Sequence, residues 1–326
     1  MTNPRITIIG LGLVGGSMGL ALKNSGKPIE IIGHDRHPER NHQASKLGAV
    51  DKTSFNLPRA CRDADMVILA IPLLEIRETL QVIGPDLKQG CVVTDTATLK
   101  QPALAWAAEI LTQDVFFIGG APILNLSAEE ATAGLDGARA DLFQDMLYPL
   151  CLSPKANPQA AKLVTGLVNL LQARPFYLDP IEHDGLRAAV ETLPILISLA
   201  LMQQAAGSPS WREARKLADH IFDATTAPLA GDAAAQRARI MLNSANLLPR
   251  IDALIDQLTQ FREWIADDDA DALQHVFDQT TFERDLWLDD RAKANWETRP
   301  GASEMQGRSG LLGNLFGLSQ HKPKDK

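Results

Sequence analysis

A glycine-rich turn near the amino terminus is the clearest chemical feature of this chain. Gly10, Gly12 and Gly15 have the spacing G-x-G-x-x-G, between a β-branched run over 5–9 and an apolar stretch over 17–22. The first glycine permits a tight turn, the second lets backbone approach a pyrophosphate, and the third lets the next helix pack closely on the strand. Because a helix amino terminus presents free N–H groups, the turn predicts a dinucleotide site. Its predicted contacts are Gly10, Gly12, Leu13, Val14 and Gly15.

An acidic residue follows at the distance typical of a ribose contact. Asp35 ends a second apolar run, 25 residues after Gly10. In dinucleotide-binding folds such an acid binds the adenosine ribose of NAD and disfavours the extra phosphate of NADP. Arg36, His37 and Arg40 follow directly and offer positive charge for that phosphate instead. We therefore predict that the coenzyme is NAD, and NADP is the alternative. Asp35 and Arg36 are both predicted cofactor contacts. A plain turn residue is the alternative interpretation of Asp35.

The elements that must position these residues are predicted to be parallel strands covered by helices. Apolar runs lie over 5–10, 29–34, 65–71, 90–95 and 115–119, with helical stretches between them. This alternation is typical of a doubly wound Rossmann-type sheet, in which ligands bind beyond the carboxyl ends of the strands. Ile71, Pro72 and Thr96 follow the third and fourth runs, so they are predicted cofactor contacts.

The predicted fold is an α/β dinucleotide domain over 1–155, followed by an all-α substrate and dimerisation domain over 156–297. Residues 186–202 are apolar nearly all round and predict a deeply buried helix, while an apolar stripe over 247–265 predicts a core or a subunit interface. Because this region has more apolar helix surface than one small bundle needs, we expect a homodimer through it. Residues 298–326 are rich in Gly, Ser and Lys and predict a disordered tail.

Composition limits the class of protein further. The 326 residues carry a formal net charge of −8 and are 45% hydrophobic, which is ordinary for a soluble protein. The negative balance without a basic stripe argues against nucleic-acid binding, and no apolar run predicts a membrane span. Cys61, Cys91 and Cys151 are odd in number and widely spaced, so they predict neither a disulfide framework nor a metal site. We expect a cytoplasmic protein without a metal.

Four strings taken together resemble the prephenate and arogenate dehydrogenase family. They are 10–23 (GLGLVGGSMGLALK), 63–72 (DADMVILAIP), 95–100 (DTATLK) and 182–184 (EHD). The third is similar to the family's Asp-x-x-Ser-x-Lys turn, with Thr98 in place of the serine. The fourth is similar to the His-Asp pair that opens the family's central helix. The resemblance covers roughly residues 5–290.

The resemblance implies an oxidative decarboxylation in tyrosine biosynthesis, with a small-molecule substrate and NAD or NADP. In the family, hydride leaves the ring carbon of prephenate or arogenate, carbon dioxide departs, and the ring becomes aromatic. Because aromatisation supplies the driving force, the protein has three tasks: to hold the coenzyme against the ring, to bind two carboxylates and to accept the hydroxyl proton.

Three positions depart from the family's pattern. Ala121 replaces the histidine of a Gly-x-His-Pro string, and Thr192 and Ile195 replace both histidines of Ser-His-Leu-Pro-His. The family's substrate-clamping Thr-Arg pair has no counterpart in 221–227. A missing general base costs ~10²–10⁴ in rate. Three functions therefore stay open: a prephenate or arogenate dehydrogenase, a dehydrogenase of the same build for another substrate, and a dinucleotide-binding protein without catalysis.

Replacement groups are present nearby. We predict Thr98, His183 and Asp184 as catalytic residues, with His183 as the base, because a neutral imidazole suits that task near pH 7. A helix-cap or packing histidine is the alternative. Lys100 is a candidate to hold a carboxylate or the cofactor. Asp184 and Glu191 lie seven residues apart and therefore share one helix face. If both acids face the pocket, they suit a cationic substrate. The alternative is that both lie at the rim of the pocket in solvent, where they have no role in binding.

Overall fold

One sheet organises the residues that the computed structural model describes, which are 3–127, 130, 133–153 and 156–296. It has eight strands in the order β3-β2-β1-β4-β5-β6-β7-β8. They are β1 Arg5–Ile9, β2 Glu30–His34, β3 Lys52–Thr53, β4 Met66–Leu69, β5 Val92–Asp95, β6 Phe116–Gly120, β7 Leu147–Cys151 and β8 Arg174–Leu178. The pairs from β3 to β6 are parallel, β7 is antiparallel to β6, and β8 is parallel to β7. The predicted Rossmann-type fold class is confirmed.

Helices follow most strands and then dominate the second half of the chain. They are α1 Leu13–Asn24, α2 Pro38–Lys46, α3 Leu57–Cys61, α4 Leu73–Ile83, α5 Gln101–Ile110, α6 Pro158–Leu170, α7 Pro180–Arg187, α8 Leu193–Gly207, α9 Trp211–Ala214, α10 His220–Thr226, α11 Ala233–Leu242, α12 Ser244–Ala266 and α13 Ala270–Lys293. A π-helical turn, Ala188–Thr192, joins α7 to α8. The second half is therefore mainly helical, as the sequence predicts.

The central strands are buried on both faces of the sheet. Successive side chains of a strand point to opposite faces. In β4, Met66 and Ile68 accordingly join the apolar layer that contains α1, while Val67 and Leu69 join the layer that contains α4. Continuous apolar strands are what a sheet covered by helices on both sides requires. The order of the strands reverses between β1 and β4, so the crevice for a ligand lies where these two strands end.

Three strands were not predicted, namely β3, β7 and β8, and the prediction of an all-α region over 156–297 is wrong at β8. That strand, Arg174–Leu178, contains Pro175 and leaves Phe176 and Tyr177 exposed. It is an edge strand that pairs only with β7 among the described residues. Because buried and exposed side chains do not alternate along β8, its sequence does not show the apolar–polar alternation typical of a strand. Its conformation depends on hydrogen bonds to a partner strand, which local sequence does not show.

The chain divides into two compact units, one ending at Asp256 and one beginning at Gln257. The first unit contains the sheet and all the residues predicted for the site. The division predicted between residues 155 and 156 stays a prediction, although the sheet itself continues to Leu178. The predicted disordered tail over 298–326 lies outside the described residues.

The segment predicted to be deeply buried is covered on one side only, so that prediction is wrong for the single chain. In 186–202 the buried residues are Ala188, Thr192, Ile195 and Ser198, which share one helix face. Leu186, Val190, Ile197 and Leu199 are exposed.

The continuous helix Pro180–Gly207 is long and apolar enough to cross a bilayer, with 22% of its most apolar window buried. This criterion is weak because helices of soluble proteins also meet it, and the expectation of no membrane stays a prediction.

The three cysteines are free and buried. Burial raises the pKa of each thiol, of Cys61, Cys91 and Cys151, to about 12. Because the thiolate is the reactive species, we expect the folded protein to react with a disulfide reagent at about pH 8 at least ~100-fold more slowly than the unfolded protein does. The measurement is labelling by Ellman's reagent, with the same protein in concentrated urea as the control. One thiol reacting at the unfolded rate would contradict this.

Candidate dinucleotide and substrate site

The glycine turn between β1 and α1 has the geometry that a pyrophosphate requires. Gly10 has a φ of +91°, and a Cβ added there would lie 2.3 Å from the carbonyl oxygen of Ala70. A Cβ at Gly15 would lie 1.9 Å from the carbonyl oxygen of Gly10, so the helix packs directly on the turn. Gly12 differs, because a Cβ there would meet nothing within 4 Å. The backbone at Gly12 therefore borders open space, at the start of a helix with free N–H groups.

A cavity of about 390 Å³ opens at this turn, where β1, β2 and β4 end. Its lining includes six of the predicted cofactor contacts: Gly10, Gly12, Asp35, Arg36, Ile71 and Pro72. Leu13, Val14 and Gly15 are not among its lining residues, and they form the first turn of α1 beside it. Thr96 follows β5, where its backbone N–H donates to the carbonyl oxygen of Leu69 at the end of β4. The residues present therefore fit a dinucleotide at the crevice between β1 and β4.

Asp35 fixes the turn as well as bordering the cavity. One oxygen of its carboxylate accepts from the backbone N–H of Leu11 at 2.9 Å, and the other accepts from that of His37 at 2.8 Å. Arg36 extends to Glu75 at 2.8 Å, and Arg40 lies 3.8 Å from Asp35. Both arginines therefore have a carboxylate beside them. Glu75 and Glu78 of α4 also line the cavity, and sequence spacing gave no signal for them.

A buried ion pair joins the carboxyl ends of β5 and β6. Lys100 Nζ donates to Asp95 Oδ2 at 2.5 Å and to the carbonyl oxygen of Gly120 at 2.6 Å. Asp95 Oδ1 accepts from the backbone N–H of Gly120 at 3.1 Å. Both charged side chains are fully buried. The expectation that Lys100 holds a carboxylate or the cofactor is wrong, because its ammonium group is enclosed by these internal partners.

Asp184 connects α7 to the same edge of the sheet. Its Oδ1 accepts from the backbone N–H of Lys100 at 2.8 Å, and its Oδ2 accepts from that of Gln101 at 2.9 Å. His183 Nδ1 lies 2.9 Å from Asp184 Oδ1. Asn243, at the end of α11, donates to the carbonyl oxygen of Asp184 at 2.8 Å. Asp184 is thus a positioning group, and Asn243 is a partner that the sequence did not reveal.

His183 is held with one ring nitrogen occupied and the other free of partners. Its side chain is buried, Nδ1 faces the Asp184 carboxylate, and Nε2 has no hydrogen-bond partner in the part of the chain that the structure describes. A carboxylate at Nδ1 makes that nitrogen the protonated one, which leaves the lone pair on Nε2. The third predicted catalytic residue, Thr98, is half-buried in the turn that follows β5.

The positions that replace the family's histidines are buried. Ala121 follows β6 and its backbone N–H donates to the carbonyl oxygen of Pro149 at 3.0 Å. Thr192 ends the π-helical turn, is fully buried, and has no hydrogen-bond partner for its hydroxyl among the described residues. Ile195, at the third position, is buried as well. Apolar side chains therefore stand at two of the three positions and a hydroxyl at the other.

Asp184 and Glu191 are neither two acids facing one pocket nor a solvated rim, so neither interpretation of this pair holds. The carboxylate of Glu191 contacts Arg187 at 2.5 Å and Arg239 at 2.8 Å. Asp184, in turn, is occupied by backbone N–H groups. The contacts of Glu191 therefore bring two guanidinium groups to one carboxylate. Arg239 comes from α11, far away in the chain, and sequence spacing could not place it here.

Comparison with known proteins agrees with this geometry. A family model described as the nucleotide-binding domain of prephenate dehydrogenase matches residues 18–177. A second, described as the dimerization domain of prephenate dehydrogenase, matches residues 179–279. The chain belongs to the prephenate dehydrogenase family. A relative in Bacillus subtilis (strain 168) named prephenate dehydrogenase is 27% identical over 274 residues, which are 83% of this chain and 73% of that protein.

Solved structures of the prephenate dehydrogenase family share the architecture. Synechocystis arogenate dehydrogenase matches with a TM-score of 0.74 and 26% identity, over 87% of this chain and 99% of that chain. Prephenate dehydrogenase from A. aeolicus, solved with hydroxyphenyl propionate and NAD+, matches with a TM-score of 0.79 and 22% identity, over 87% of this chain and 98% of that chain. The second likeness supports the fold alone.

The buried ion pair generates a prediction about stability. Lys100→Met removes the cation and leaves the Asp95 carboxylate buried without its charge partner. We expect the free energy of unfolding to fall by about 3–5 kcal/mol, because an uncompensated buried charge is costly. Urea denaturation measures this. Lys88→Met is the matched control: Lys88 contacts Asp65 at the surface, and its loss should cost only about 0–1 kcal/mol. Equal effects of the two substitutions would contradict the prediction.

Proposed function

We propose that the protein is an NAD-dependent dehydrogenase that converts prephenate or arogenate by oxidative decarboxylation in tyrosine biosynthesis. The observation that carries this proposal is the glycine cradle at the β1–β4 crevice of a chain that matches both domains of the family. The turn has the steric features that a pyrophosphate requires, and the second domain brings His183 to the same edge of the sheet.

Each group at the crevice has a task in this proposal. Gly12 and the first turn of α1 bind the pyrophosphate, Asp35 binds the adenosine ribose, and Ile71 and Pro72 border the path toward the nicotinamide. NAD held by these residues would supply the acceptor for the hydride of the substrate's ring carbon. Thr96 and Thr98 lie in the turn after β5, where Thr98 supplies a hydroxyl to the substrate. Asp184 orients the imidazole of His183 and sets its tautomer.

His183 takes the role of the missing histidine. Its Nε2 holds a lone pair, is turned away from Asp184, and has no internal partner. That nitrogen accepts the proton of the substrate hydroxyl as the carbonyl group forms, and the neighbouring carboxylate stabilises the resulting imidazolium. Ala121 offers no such group, because a methyl side chain neither donates nor accepts a hydrogen bond.

NAD is the proposed coenzyme rather than NADP. Asp35 places a carboxylate at the cavity, while Glu75 and Glu78 add negative charge to its lining. Arg36 is paired with Glu75 and Arg40 lies beside Asp35, so neither guanidinium group presents an unopposed charge to a ribose phosphate. The extra phosphate of NADP would meet a lining with more acids than bases.

We also propose a homodimer through the helical region and a cytoplasmic location. The matched dimerization domain and the exposed apolar side chains of 186–202 and 247–265 support the dimer. Free buried thiols are consistent with a reducing compartment.

A second candidate function is a dehydrogenase with the same two-domain architecture that acts on another substrate. The altered pocket favours it, since Ala121 and Thr192 replace two histidines and the family's arginine is absent. Turnover assays with prephenate and arogenate separate the two candidates. Binding of NAD without turnover of either compound would favour another substrate or a protein without catalysis.

Gly12 provides the test of coenzyme binding. Gly12→Ala adds a methyl group that meets no protein atom within 4 Å, and the φ of Gly12 is −86°, so alanine fits without strain. The methyl group projects where the pyrophosphate binds. We therefore expect unchanged thermal stability and NAD affinity weakened by at least about 10-fold, measured by fluorescence titration. Gly166→Ala is the control, since Gly166 lies on α6 and also borders open space. Unchanged NAD affinity in the Gly12 variant would contradict the site.

His183 provides the test of proton transfer. With prephenate and NAD at saturation, His183→Gln should lower kcat by about 10²–10⁴, because the general base is lost. NAD affinity should stay unchanged, since the cofactor cavity does not include this residue. His220→Gln, at an exposed histidine of α10, is the control. Wild-type turnover in the His183 variant would assign the base to another group.

A further inference from the structure

Three charged side chains, Arg187, Glu191 and Arg239, form a cluster that neither the family pattern nor the cofactor accounts for. Glu191 bridges the two guanidinium groups at 2.5 Å and 2.8 Å. The side chains of Arg187 and Arg239 are each 19% exposed, and that of Glu191 is 23% exposed. This is far more burial than a surface ion pair has. With two cations and one anion, the cluster has a net charge of +1.

Several polar atoms at this cluster have no internal partner. Among the described residues, Nε of Arg187, Nε of Arg239 and the hydroxyl of Thr192 are buried without a hydrogen bond, and Oε2 of Glu191 has only its ion pair with Arg187. Nε2 of His183, one turn before Arg187, and Oε1 of Gln236, one turn before Arg239, are acceptors that have no hydrogen-bond partner in the same part of the chain. Buried donors without acceptors are costly, so folded proteins rarely leave several together. A bound anion would supply acceptors for such donors.

The helices that carry the cluster border the candidate site. Arg187 lies on α7, which Asp184 fixes to the backbone of Lys100 and Gln101 beyond β5. Arg239 lies on α11, which packs against α4, and Pro72 at the start of α4 lines the cofactor cavity. The cluster therefore stands at the carboxyl edge of the sheet, where ligands of such folds bind.

We propose that Arg187 and Arg239 bind a carboxylate group of the substrate, with Glu191 holding the two guanidinium groups apart. This inference rests on the proposed function for the identity of the pocket, and it names groups that replace the missing Thr-Arg pair. Guanidinium groups suit the task because their planar donors match the two oxygens of a carboxylate. Thr192 adds a hydroxyl donor from the same turn. The charge of Glu191 is already paired with the two arginines, and Asp184 already accepts two backbone N–H groups, so the cluster suits an anion better than an amino group.

The test compares a carboxylate with its neutral amide, so it needs no turnover. Hydroxyphenyl propionate and hydroxyphenyl propionamide are titrated calorimetrically into the NAD-loaded, full-length protein. The acid should bind about 10-fold to 100-fold more tightly than the amide, because charge-assisted hydrogen bonds distinguish the two. Arg187→Gln and Arg239→Gln should each remove most of that preference and leave the amide affinity unchanged.

Two further variants keep the result interpretable. Arg239→Lys retains the charge without the planar donors, so it should fold like the wild type and keep an intermediate preference for the acid. Arg237→Gln, at an exposed arginine of the same helix, should change nothing. Equal wild-type affinities for acid and amide, no binding of the acid, or equal weakening of both probes by Arg239→Gln would overturn the inference and leave a purely structural ion cluster.

The outcomes also separate this inference from the proposed function. NAD titration and turnover of prephenate and arogenate are measured on the same preparation. Turnover without a preference for the acid contradicts the carboxylate site and leaves the dehydrogenase intact. An arginine-dependent preference without turnover contradicts the dehydrogenase and retains a site for a carboxylate-bearing ligand.

Discussion

The carboxylate of Asp184 is the contact on which the candidate site depends. It accepts two backbone N–H groups from the turn after β5, and it also faces His183. A buried carboxylate is stable only when its lone pairs are satisfied, so this contact fixes both the position and the rotation of α7. Asn243 extends the connection to the end of α11. Through this one carboxylate, helices remote in sequence are placed against the ligand-binding edge of the sheet.

The neighbouring pair of Asp95 and Lys100 makes that edge rigid. Lys100 contributes its backbone N–H to Asp184 and its ammonium group to Asp95, so one residue belongs to both contacts. Gly120 accepts a hydrogen bond from Lys100 at its carbonyl oxygen and donates its backbone N–H to Asp95, which ties the end of β6 to the end of β5. The turn after β5 is therefore held by charges on both sides. A site built on such a turn is positioned more exactly than one on a free loop.

The charge around α7 in the folded protein depends on which side chains meet there, and the order of charged residues along the helix does not reveal it. Asp184 and Glu191 share one helix face in the sequence, yet in the fold Asp184 accepts backbone N–H groups while Glu191 pairs with two guanidinium groups. The cluster of Arg187, Glu191 and Arg239 by itself has one excess positive charge. The departures from the family pattern thus change which groups meet a substrate, while the positive character that suits a carboxylate remains.

The glycine turn, five of the eight strands (β1, β2, β4, β5 and β6) and the mainly helical second half were predictable from the sequence. Each rests on a local rule: backbone sterics at Gly10, apolar runs buried on both faces, and helical periodicity. The approach of Gly12, Asp35, Ile71 and Pro72 to one cavity also follows, because parallel strands end at a common edge. These conclusions required no knowledge of contacts between distant residues.

Only the tertiary structure decided the rest. β8 forms because β7 offers it a partner, and the face of α8 left exposed depends on what the single chain can cover. The enclosure of Lys100, the role of Asp184 and the meeting of Arg187 with Arg239 are contacts between segments far apart in the chain. The sequence singled out Lys100 and Asp184 but not what they do, and it did not single out Arg187 or Arg239, because the energy of a charge depends on its neighbours in space.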